Sequence, residues 1–90
     1  MSPMVVTELA YMCEIGRLQA DAERVQAQLE HEFGVTVSMA SFSDVCRTSI
    51  RQTWTRDPFD RLIVANAIVD GARLVTADQV ILDNFKDAIW

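Results

Sequence analysis

Residues 56–78 read RDPFDRLIVANAIVDGARLVTAD. Asp57-Pro58 pairs a capping side chain with a proline at the first helical position, so a helix starts here. From Phe59 to Asp70 the sequence is apolar nearly all round, which predicts a buried helix, and Gly71 ends it with a residue free to turn left-handed. Leu74-Val75-Thr76 then reads as a short strand, and Asp78 caps another helix running to about Phe85. Ala88-Ile89-Trp90 completes the C-terminal side as a terminal strand.

The same punctuation orders the upstream half. Ser2-Pro3 opens a helix from about Met4 to Ile15 with Gly16 after it, and a more polar helix from about Asp21 to Phe33 stops at Gly34. Val35-Thr36-Val37-Ser38-Met39 alternates in the period of a strand, and Ser43-Asp44 opens a helix that carries Val45, Thr48 and Ile50 toward Trp54. The order is helix, helix, strand, helix, helix, strand, helix, strand. Alternation of this kind predicts an α/β domain with a parallel sheet. Three short strands make a thin parallel sheet, so a further strand is expected upstream of Met1.

Ninety residues, half of them apolar and 23% charged, suit one domain spanning 1–90. Cys13 and Cys46 form no CxxC pair, which fits reduced thiols, and His31 is the one histidine. Zinc chemistry and histidine-dependent nucleophilic catalysis are therefore disfavoured. Eight basic against thirteen acidic residues leave a net charge of −5. Bulk charge cannot hold nucleic acid, yet Arg47, Arg51, Arg56 and Arg61 form a local basic cluster. No apolar run matches a membrane span and the N-terminus does not read as a signal peptide, so a soluble, cytoplasmic protein with no membrane partner is expected.

Several acids sit where acids are costly or aimed. Glu8 shares a helix face with Val5 and Met12, so it either interrupts an apolar stripe or lies at the stripe's edge and reaches water or an arginine. Asp57 is a good N-cap, and Asp60 three residues later resembles a capping box while leading into the most apolar helix. Asp78 follows a strand at its carboxyl end, where sites in open α/β sheets gather, and equally caps the last helix. Carboxylates converging on one side of a sheet suit a hard cation such as Mg²⁺ or Mn²⁺. The chain has no glycine-rich phosphate loop, GxSxG or HExxH.

Ser2-Pro3-Met4-Val5-Val6-Thr7-Glu8-Leu9, Glu14-Ile15-Gly16-Arg17-Leu18, Arg56 through Ala65, Leu74 through Asp78, and Ile89-Trp90 together resemble, in order and spacing, the PIN-domain ribonucleases, specifically the VapC-type toxins of bacterial toxin–antitoxin pairs. RDPFDR is the most specific segment. The resemblance implies a PIN-like three-layer α/β/α fold with a short parallel sheet and a metal-dependent endoribonuclease holding Mg²⁺ or Mn²⁺. Glu8, Asp60 and Asp78 match the family's second, third and fourth acids and would be its catalytic and metal-binding residues. Asp57 would support the site from beside it, and Arg47, Arg51, Arg56 and Arg61 would contact RNA. The family's first acid, an aspartate ending an N-terminal strand, has no counterpart, so residues 1–90 look like a partial, N-terminally truncated PIN domain lacking on the order of 30 residues. The implied partners are an RNA substrate, a cognate antitoxin and further copies of the chain, since an unpaired sheet edge favours self-association. The alternative is a catalytically incomplete remnant that serves as an antitoxin-binding or self-associating module.

Overall fold

In a computed structural model the described residues are 1–17, 19 and 21–90. Leu18, which contributes to the family resemblance, and Ala20 lie outside them. The chain divides into two compact units, Met1–Ser38 and Met39–Trp90.

The first unit is a helix pair, α1 (Pro3–Glu14) and α2 (Ala22–Phe33). Ser2 caps α1 by accepting a hydrogen bond from Met4 N at 3.2 Å, with Pro3 at the first helical position where no N–H is needed. The helix ends as its glycine predicts: Gly16 adopts φ +79°, Gly16 N donates to Cys13 O and Arg17 N to Met12 O, which satisfies two terminal carbonyls. Asp21 caps α2 through Arg24 N at 2.8 Å. The two helices contact each other, and Val5, Leu9 and Met12 of α1 and Val25 and Leu29 of α2 are half-buried. No apolar side chain described in this unit is fully buried.

The strand expected over Val35–Met39 is absent. In its place the segment makes one rung of pairing: the Met1 ammonium donates to Thr36 O, and Ser38 N donates to Met1 O at 2.7 Å. These bonds flank Val37 in the pattern of a parallel bridge. The ladder stops there because the partner turns helical at Pro3, and a proline has no N–H to offer. Alternation prepared the segment for pairing, but a strand also needs a neighbour.

The second unit consists of α3 (Phe42–Ser49), α4 (Pro58–Asp70), β1 (Leu74–Val75), α5 (Gln79–Asn84) and β2 (Ala88–Ile89). Here α3 is shorter than the sequence suggests. It starts on Ser41, whose hydroxyl accepts from Asp44 N, and ends at Ser49, whose hydroxyl donates to Cys46 O at 2.6 Å. Arg51 N and Gln52 N then bond three residues back, so the chain leaves the helix through tight turns before Trp54.

Around α4 lies the core. Val64 and Ala65 are fully enclosed, Asn66 and Ala67 nearly so, and Val45 of α3 and Ile81 of α5 join them. Asn66 tolerates burial because its amide donates to Asp70 Oδ2 at 2.9 Å. Burial is confined to this central turn, whereas Phe59, Ile68 and Val69 are exposed. The helix is therefore enclosed in the middle and not along its whole length. Gly71 ends it at φ +62°.

Leu74 pairs with Ala88 and Val75 with Ile89 in a two-stranded parallel sheet, tied by Leu74 N to Asp87 O and Thr76 N to Ile89 O. The chain is thus mixed and helix-dominated with two short parallel strands, the coarse form of the α/β architecture expected.

Candidate functional site

The start of α4 is built from a Thr-x-Asp turn. Asp57 N donates to Thr55 Oγ1 at 3.2 Å, and Asp57 Oδ1 accepts from Phe59 N at 2.9 Å and from Asp60 N at 3.5 Å. The start of α5 repeats it. Asp78 N donates to Thr76 Oγ1 at 3.0 Å, and Asp78 Oδ1 accepts from Val80 N at 2.9 Å and from Ile81 N at 3.2 Å. In each case two helix-terminal N–H groups that would lack partners are satisfied by one carboxylate oxygen. Asp57 and Asp78 therefore do the same local work. The repetition of T-x-D at 55–57 and 76–78 is visible in the sequence, and Thr55 is the member that a search for acids passes over.

Asp60 is different. It stands at the third helical position of α4, where its charge complements the positive helix end. Of the thirteen acidic residues it is the one that is half-buried; the other twelve are exposed. Arg61 beside it is also half-buried and donates from Nε to Thr55 O at 2.7 Å, closing the loop from Thr55 to Arg61. That bond commits part of the Arg61 guanidinium to structure.

Glu8 lies in the first unit, on an exposed position of α1, while Val5 and Met12 of the same stripe are half-buried. Of its two sequence readings, the one at the stripe's edge holds. Within neither unit do three His, Cys, Asp or Glu side chains among the described residues come together as a metal-binding group. The second unit holds Asp60 and Asp78.

The remaining arginines are exposed. Arg56 sits inside the Thr-x-Asp turn, while Arg47 lies in the last turn of α3 and Arg51 just beyond it. Arg47 approaches Asp44 at 3.8 Å with both side chains well solvated, a pairing of little energetic weight. A concavity of about 510 Å³ opens at the other end of α4, lined by Ala67, Ile68, Gly71 and Ala72 with Phe85 and Lys86. Its lining includes none of the acids singled out from the sequence.

Among the described residues no helix is long and apolar enough to cross a membrane. Compared with protein-family models, curated proteins and solved structures, the chain matches none.

Proposed function

We propose that this chain is part of a metal-dependent endoribonuclease of the PIN-domain, VapC type, hydrolysing RNA phosphodiesters and restrained by a cognate antitoxin in the cytoplasm. The observation that carries the reading is Asp60. Capping occupies Asp57 and Asp78 through Oδ1, whereas Asp60 is the one acid of the thirteen that stands half-buried, at the head of the helix at the centre of the core. The RDPFDR segment that bears the family resemblance contains that residue.

The donor types suit the implied cation. Mg²⁺ prefers oxygen ligands, and one or two carboxylates completed by water and substrate phosphate suffice for it. Asp60 and Asp78 would supply those oxygens from the second unit. When bound, Mg²⁺ or Mn²⁺ provides charge for the phosphate oxygens and lowers the pKa of a water. The residues' own tasks are then separable. Asp60 and Asp78 would hold the cation, Asp57 holds the turn that presents Asp60, and the arginines would attract the phosphate backbone.

Cleavage of single-stranded RNA in Mg²⁺ or Mn²⁺, and its loss with EDTA, tests the proposal. Asp60→Asn should abolish cleavage with little effect on folding, and Asp57→Asn should leave it nearly unchanged. Uncut RNA under all conditions, with the two variants indistinguishable, would reject it. One observation favours a second reading as an interaction module: Val75, Ile89 and Trp90 expose apolar surface on the sheet and beside it, with Trp90 84% accessible. Self-association in light scattering without cleavage would select that reading.

A further inference from the structure

In a chain of net charge −5, residues 45–56 hold three arginines and no acid. The first unit has six acids against two arginines, while the second has seven acids against six basic residues. Positive potential is therefore concentrated along one stretch of the second unit. Within it, Arg47, Thr48 and Arg51 line a notch of about 310 Å³ together with Asp44 and with Val69 of α4.

We infer that this notch seats a phosphate of the RNA backbone, with the Arg47 and Arg51 guanidiniums and the Thr48 hydroxyl as its donors. The identity of the polyanion rests on the ribonuclease reading above. Arginine suits the task because its fixed fork of N–H groups matches phosphate oxygens in pairs. Both guanidiniums are available: Arg47 has the solvated 3.8 Å approach to Asp44, and Arg51 makes no ion pair among the described residues. The notch has the space of about ten waters at liquid density, enough for a phosphate with its attached sugar. Val69 offers that sugar an apolar surface.

Two features oppose an anion there, and magnitude decides between them. The C-terminal end of α3 carries roughly half a negative charge, which two full guanidinium charges exceed. Asp44 adds a full negative charge at the rim, so its presence weakens the seat. That sign gives the inference a second, opposite test. Arg56 and Arg61 do not line the notch, and Arg61 is already tied to Thr55 O. The seat therefore distinguishes two of the four clustered arginines.

The experiment is equilibrium binding of a uridine oligonucleotide to the full chain in EDTA across a salt series, so that no cleavage is needed. Arg47→Gln with Arg51→Gln should weaken binding at least about tenfold, the value of one charge-assisted hydrogen bond. The slope of log affinity on log salt should flatten by about 0.7 for each phosphate the variant no longer neutralises. Asp44→Asn should tighten binding, and Arg24→Gln, in the first unit, should change neither quantity. Equal losses in the double variant and in Arg24→Gln, or no loss in either, would overturn the seat. So would a polyglutamate peptide that binds as tightly as the RNA and weakens as much in the double variant. Cleavage that persists alongside unaltered binding would reject the seat and leave the nuclease reading standing. Selective loss of binding in a chain that never cuts RNA would do the reverse.

Discussion

The starts of α4 and α5, TRDPFD and TADQVI, use the same capping device. Each begins Thr-x-Asp, each folds the aspartate N–H back onto the threonine hydroxyl, and each caps two helix N–H groups with Oδ1. They part at the third helical position. In α5 that position is Ile81, 3% exposed and part of the core; in α4 it is Asp60, an acid and half-buried. Identical caps mean that the capping aspartates say little about function. A carboxylate in place of a core side chain is the difference on which the proposed ligand role of the α4 start rests.

Giving the α5 start the acid of the α4 start should be the most damaging change. Ile81→Asp removes a core side chain and buries an unpaired charge, which should cost about 4 kcal/mol. Urea denaturation should show the midpoint collapse. The reciprocal Asp60→Ile should cost less than Ile81→Asp, because a half-buried helix position accepts an apolar side chain and only the carboxylate's own interactions are lost. Equal losses in both variants would mean that Asp60 is as structural as Ile81.

Next in size is the chemical effect at Asp60. If the carboxylate orients the cation, Asp60→Asn should reduce cleavage by at least about a hundredfold, or about 3 kcal/mol of transition-state stabilisation. The thermal midpoint should scarcely move. A purely structural landmark gives the scale for comparison: Val64→Ala deletes fully enclosed methyl groups and should lower stability by about 2 kcal/mol, read from the same urea transition. Asp60→Asn losing stability on that scale would assign Asp60 to the fold.

Local chemistry makes much of this legible in the sequence. Ser2-Pro3, Asp21, Asp57-Pro58 and Asp78 start helices, and Gly16, Gly34 and Gly71 stop or follow them, since a cap is satisfied by its immediate neighbours. The strands at Leu74–Val75 and Ala88–Ile89 are legible too, each being short, apolar and bounded by turn residues. Val35–Met39 fails as a strand because pairing is not local: Met1 offers one rung, and Pro3 ends it. The length of α3 escapes the sequence for a related reason, since the Ser49 hydroxyl takes the Cys46 carbonyl and tight turns follow. At the acids, sequence identifies candidates but not exposure. The spacing of Glu8 fits either side of an apolar stripe, and only packing separates the exposed position from the half-buried one of Asp60.

The smallest expected effects bear most directly on the comparison, because they ask whether Asp57 and Asp78 are equivalent beyond their hydrogen bonds. Alanine at either position leaves two helix N–H groups without their carboxylate and should cost about 1 kcal/mol, a shift of several degrees in thermal midpoint for a chain of this size. Asparagine keeps an acceptor oxygen and should bring either site back to within a few tenths of a kcal/mol. On stability alone the two pairs of variants should therefore superimpose. Cleavage is where they should divide: a residue that only caps is indifferent to losing its charge, whereas a cation ligand is not. Asp78→Asn should depress cleavage while sparing stability, and Asp57→Asn should spare both. If Asp78→Asn is also silent, its carboxylate caps α5 and does nothing more, and Asp60 is left as the acid in the second unit on which the nuclease reading depends.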